Sequence, residues 1–116
     1  MYLILQKLTI REVPLELISD VKFGMKFSYY WQNKKYRHEA KALSEKLRIL
    51  YPNVELSGLD ERGEKDTFEI SVNVGEKAKD VNIWSGKTKG PPRKLKFPDL
   101  YPIVEGIKNL LPEEEE

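Results

Sequence analysis

Residues 22–52 read KFGMKFSYYWQNKKYRHEAKALSEKLRILYP, and the change of period inside this stretch decides the fold. Its first part, Lys22 to Tyr29, alternates apolar and polar positions in places and is rich in aromatics, which is strand composition. Its second part sets Tyr36, Ala40, Leu43, Leu47 and Leu50 at spacings of four, three, four and three. That is the apolar stripe of an amphipathic helix. Asn33 is placed to cap this helix over 34–51, and Pro52 stops it.

Downstream, Val54 to Gly58 predicts a short strand and 59–65 a polar loop around Gly63. Phe68, Ile70, Val72 and Val74 fall on one face of a strand over 67–74. A turn at 75–79 leads to a strand carrying Val81, Ile83 and the Trp84 ring, ending at Gly86. A loop dense in Gly, Pro, Lys and Arg follows. Asp99 is placed as the N-cap of a last helix, where an early Pro102 is tolerated because the first N–H groups lack helical partners. Leu100, Ile103, Val104, Ile107, Leu110 and Leu111 form its apolar face.

The predicted order is β-α-β-β-β-α. The first β-α-β is expected to be parallel with a right-handed crossover, and the last two strands an antiparallel hairpin. A four-stranded mixed sheet with the helices packed on it satisfies these rules, and the thioredoxin-like arrangement is one such α/β solution. No internal repeat is visible.

The 116 residues suit one domain, and 40% hydrophobic with 34% charged residues is globular composition. No apolar run reaches the roughly 18 residues of a membrane span, and Met1–Leu5 is too short and too closely followed by charge for a signal peptide. The expected compartment is cytoplasm or nucleus. The chain has no cysteine, which removes disulfides, thiol catalysis and thiolate metal sites. The single histidine, His38, lacks an Asp or Ser companion, and Asp60, Glu61 and Glu64 are interleaved with Arg62 and Lys65. Neither group supports a catalytic or metal site, and no cofactor is expected.

Residues 1–21 stand apart from a 22–112 domain. Leu3, Leu5, Leu8 and Ile10 make them markedly apolar, with Pro14 splitting the stretch. They read either as an edge element of the domain's own sheet or as an arm that docks on a partner. Residues 113–116 are an acidic tail, and without its four charges the net charge of +1 becomes +5.

The segment Ile83-Trp84-Ser85-Gly86-Lys87-Thr88-Lys89-Gly90-Pro91-Pro92-Arg93-Lys94-Leu95-Lys96-Phe97-Pro98 resembles the C-terminal signature of selenoprotein H-like proteins. These belong to the selenoprotein W/T/H (Rdx) group. Asp99 to Leu111 is similar to their last helix, and Lys34 to Tyr51 with Pro52 to their first. The resemblance implies a thioredoxin-like fold with a Cys-x-x-Cys or Cys-x-x-selenocysteine motif between the first strand and helix. That motif falls here on Tyr30-Trp31-Gln32-Asn33, so neither thiol position survives. Family redox chemistry therefore does not carry over, because the nucleophile it needs is a thiolate.

The expected function is a non-catalytic interaction module, a subunit or adaptor of a protein complex, with 1–21 as the docking arm. If the fold is thioredoxin-like, the 85–98 loop emerges beside the degenerate turn. A surface for an anionic partner would then gather Tyr29, Tyr30 and Trp31 with Lys34, Lys35, Arg37, Lys87, Lys89, Arg93, Lys94 and Lys96. The alternative partner is nucleic acid, bound through the basic 86–97 loop. The bland alternative is that the cations are solvated and the aromatics belong to the core. Leu95 and Phe97 are expected to anchor the loop while the neighbouring lysines face water.

Overall fold

A computed structural model describes residues 15–75, 79–89 and 93–111. Strand β1 (Phe23–Tyr29) alternates without a break: Phe23, Met25, Phe27 and Tyr29 are buried, while Lys26 and Ser28 face water. Helix α1 (Lys34–Leu50) follows, then β2 (Val54–Ser57), β3 (Phe68–Asn73), β4 (Val81–Ser85), a 3-10 turn (Arg93–Lys96) and α2 (Leu100–Leu110). The sheet order is β2-β1-β3-β4. β1 is parallel to β2 and antiparallel to β3, and β4 is antiparallel to β3. This is the mixed four-stranded α/β arrangement expected from the sequence.

The buried residues of β1 and β3 meet Tyr36, Ala40, Leu43, Leu47 and Leu50 of α1 and Ile103, Val104 and Ile107 of α2 in one core. Both helices therefore cover the same side of the sheet. The other side carries Gly24, Lys26, Ser28, Glu55, Ser57, Glu69, Ser71 and Asn73, and is polar. The side-chain period of two produces this division.

Some local expectations are corrected. Val74 lies past the end of β3 and is 37% exposed, because the ladder with β1 stops at Asn73. Val81 is exposed because it starts an outer strand. Asp99 occupies the N-cap position of α2, but its side chain makes no capping hydrogen bond. β4 also carries an irregularity: Ile70 pairs with Trp84 but Ser71 with Asn82, leaving Ile83 as an extra residue. The bulge lets adjacent Ile83 and Trp84 both pack on the core. α2 lies close over it, since a Cβ on Gly106 would sit 3.0 Å from that of Ile83.

Residues 1–14 and 112–116 lie outside the described residues, and with them Leu3, Leu5, Leu8, Ile10 and the acidic tail. Residues 15–21 contact the domain. The Ile18 N–H donates to the Leu50 carbonyl (2.8 Å), Asn53 Nδ2 donates to the Asp20 carbonyl (2.6 Å), and Ile18 packs against the core. Among the described residues, no helix is long and apolar enough to cross a membrane.

Tyr51, just past α1, is fully buried, packs edge-on to Phe23 at 5.3 Å, and its hydroxyl has no hydrogen-bond partner among the described residues. Burial, helped by the Glu105 carboxylate, pushes its pKa up to about 12. The folded state thus holds this proton more tightly than the unfolded chain, whose tyrosines titrate near 10. The stability it contributes is complete below about pH 10 and is lost as pH rises toward 12. Urea melts across pH 9–12 should show this fall, and Tyr51→Phe should flatten it. An equally steep fall in the variant would assign the loss to other groups.

Candidate functional site

The turn after β1 is held from three sides. The Tyr30 N–H donates to the Thr67 carbonyl (3.0 Å), and the Asn33 N–H to the Tyr30 carbonyl (3.1 Å). Asn33 Oδ1 accepts from the N–H groups of Lys35 (2.9 Å) and Tyr36 (3.3 Å), so it is the N-cap that the sequence predicts. These are the helix N-terminal donors that would otherwise face an anion at this turn. Here the amide oxygen of Asn33 uses them.

Arg37 folds back from the first turn of α1. Its Nη1 donates to the Trp31 carbonyl (2.9 Å), and its guanidinium lies 5.1 Å from the centroid of the Trp31 ring. Trp31 is half-buried, and its Nε1 is buried with no acceptor among the described residues. Gln32 and Lys34 are exposed. Tyr29, expected on this surface, is instead core: it is fully buried and its hydroxyl donates to the Leu59 carbonyl. Its inward direction follows from the alternation of β1.

The 85–98 segment lies beside this turn. Phe68 pairs with Tyr29 at the end of β1, and the Gly86 N–H donates to the Phe68 carbonyl (2.9 Å). Rings then link the two segments: Tyr30 to Tyr36 at 5.4 Å, Tyr36 to Phe97 at 5.0 Å, and Phe97 to Phe68 at 5.4 Å. The loop is also fastened to itself. Trp84 Nε1 donates to the Lys96 carbonyl (2.9 Å), and Lys96 Nζ donates to the Gly86 and Lys87 carbonyls (3.1 and 3.2 Å). Lys89 stands 4.8 Å over the Trp84 ring.

The period-two reading of 94–97 is therefore corrected in part. Phe97 anchors the loop, but Leu95 is 49% exposed and Lys96 turns to the loop carbonyls. The cause is the 3-10 turn over Arg93–Lys96, which replaces alternation with a period of three.

The cations of the candidate surface are differently engaged. Lys35 pairs with Glu39 (3.0 Å), Lys87 with Glu64 (3.7 Å), and Arg37, Lys89 and Lys96 bind as described above. Lys34 and Lys94 are exposed and make no ion pair among the described residues. The side chain of Arg93 lies outside them. An open groove is lined by Trp84, Leu95, Phe97 and Pro102 together with both signs of charge, Lys35, Lys94, Glu39 and Asp99. The role of Trp84 as the lock of this loop was missed from sequence, because its partner is a backbone carbonyl 12 residues away. His38 is exposed. No group of His, Asp or Glu among the described residues is arranged to hold a metal ion.

The chain is 34% identical to selenoprotein H of Mus musculus over 76 residues, which is 66% of this chain and 65% of the mouse protein. It is equally similar to the Homo sapiens protein, covering 62% of it. This similarity supports a selenoprotein W/T/H-like relationship. A shorter match, 35% over 54 residues, joins it to selenoprotein BthD of Drosophila melanogaster, 22% of that protein. This selenoprotein H relative thus spans just under two thirds of the length of the mouse and human proteins it matches. No family profile and no solved structure matches it. In this chain Tyr30-Trp31-Gln32-Asn33 stands at the turn between first strand and first helix of the α/β sheet.

Proposed function

We propose that this chain is a non-catalytic, thioredoxin-like interaction module of the cytoplasm or nucleus, acting as an adaptor or subunit in a protein complex. One observation carries the reading. The strand-to-helix turn is filled by a Trp31 ring under Arg37, and Asn33 takes the helix N-terminal donors, in a chain with no cysteine. A turn built this way has no nucleophile and offers no open anion hole, but it presents a half-buried tryptophan. Aromatic side chains of this kind anchor protein partners.

A protein partner is favoured over nucleic acid bound by the 86–97 loop. Lys89 and Lys96 are spent on the loop's own ring and carbonyls, and Lys87 stands beside Glu64. Phosphate binding depends on cations free to replace counterions.

The test is affinity capture of the tagged full chain from its native cells, with and without nuclease, beside a chain lacking residues 1–14. The cut is placed there because Ile18 and Asp20 are bonded to the domain. A stoichiometric protein that survives nuclease and disappears with the arm is the expected result. Material that vanishes on nuclease treatment and tolerates loss of the arm would move the function to the basic loop.

A further inference from the structure

Helix α1 carries six Lys and Arg against two Glu, a surplus of four on a chain whose net charge is only +1. Its buried stripe leaves Lys34, His38, Lys41, Glu45 and Arg48 in a single outward row, all exposed, at spacings of four, three, four and three. Lys46 and Ile49, also exposed, flank that row, and Ile49 is an apolar side chain 48% open to solvent. The row from Lys34 to Arg48 is about 21 Å long at 1.5 Å per residue.

This charge does little for the fold. Lys34 and Lys35 sit at the positive end of the helix dipole, and the first turn holds no carboxylate, the reverse of the stabilising arrangement. Among the described residues, Lys35–Glu39 is the one ion pair α1 makes. Lys34, Lys41, Lys46 and Arg48 are left without one.

We propose that the outward row of α1 docks an acidic, amphipathic helical segment of a protein partner. The inference rests on reading the chain as a binding module, and adds the partner's chemistry and the surface it uses. Carboxylates seven residues apart on such a segment match Lys34, Lys41 and Arg48, which are themselves seven apart on α1, and an apolar residue beside them meets Ile49. The surface suits a polypeptide better than a nucleic acid. Glu45 interrupts the row and would stand against a phosphate backbone, whereas a mixed side-chain sequence can oppose it. Arg37, a guanidinium suited to phosphate, is turned onto Trp31.

The probe is a fluorescein-labelled 21-residue helix of Glu, Ala and Leu, with its Lys-for-Glu counterpart and a 20-base-pair DNA duplex as controls. It is titrated into the full chain in 50 mM and 300 mM NaCl. The acidic helix should bind, with amide resonances of 34–49 shifting most. Lys41→Glu combined with Arg48→Glu should weaken it at least tenfold while leaving the thermal melt within a few degrees. The high-salt arm should weaken binding in the native chain more than in the variant. No binding at low salt, resonance shifts elsewhere, or displacement of the peptide by the duplex at equal concentration would each overturn the proposal. So would movement of the α1 resonances on deleting 113–116 in the peptide-free chain, since the chain's own acidic tail would then be the occupant. The capture experiment is independent: a protein partner lost with residues 1–14 but indifferent to the α1 substitutions upholds the module and removes this surface from it.

Discussion

Gly58→Ala is expected to lower the unfolding free energy by more than about 3 kcal/mol, combining left-handed backbone strain with a steric clash. Gly58 follows β2 with φ of +82°, a region that costs a residue with a side chain about 1–2 kcal/mol. Space adds the larger part. A Cβ there would overlap the Phe27 carbonyl oxygen and lie 3.1 Å from the Phe27 carbonyl carbon. Phe27 cannot withdraw, because it is paired with Ile70 inside the sheet and its ring is in the core. Gly24→Ala is the control. Its new Cβ meets nothing nearer than 3.8 Å, so its effect should stay within about 1 kcal/mol, as for a residue relieved of glycine's entropy cost. Urea midpoints of the two variants decide the matter; equal midpoints would mean that the turn after β2 relaxes freely.

Phe68→Ala should cost about 4 kcal/mol, in the usual range for emptying a fully buried phenylalanine site. Phe68 is fully buried and touches three rings: Phe27 at 6.5 Å, Tyr29 at 5.8 Å and Phe97 at 5.4 Å. Its loss reaches the candidate site. Phe97 would keep only Tyr36 as a ring partner, and the loop that Phe97 anchors adjoins the Tyr30–Asn33 turn through Tyr36 and Tyr30. Native-state amide exchange should therefore accelerate at Gly86 and Lys89, whose N–H groups close this loop, beyond the change at β1 amides. A uniform acceleration would show that the loop shares only in global unfolding. Phe68→Leu, which keeps most of the volume, should cost under about 2 kcal/mol.

The parts legible in the sequence are those governed by one period at a time. β1, α1, β3 and α2 each bury a regular set of positions, and Asn33 caps α1 with the side-chain oxygen its type suggests. The rest depends on partners distant in the chain. Ile83 and Trp84 point the same way because a bulge against β3 interrupts alternation. Lys96 turns inward because Gly86 and Lys87 bring their carbonyls to it. The change of period also leaves Tyr30–Asn33 between first strand and first helix, as the structure has it, but the stacking of Arg37 on Trp31 needed coordinates. The basic row of α1 was readable from residues 34–48. It is the complement of the apolar stripe on the same helix.

The bulge at Ile83 also bears on whether the border of the sheet can be extended by another strand. β4 is an outer strand, and a straight outer strand offers evenly spaced N–H and C=O groups that a second chain can extend into a shared sheet. An extra residue in the middle of a five-residue strand breaks that spacing and increases its twist. The opposite edge, β2, is only four residues long and carries the exposed Glu55 paired with Lys22. Among the described residues, each border of the sheet is thus a poor template for strand-to-strand growth.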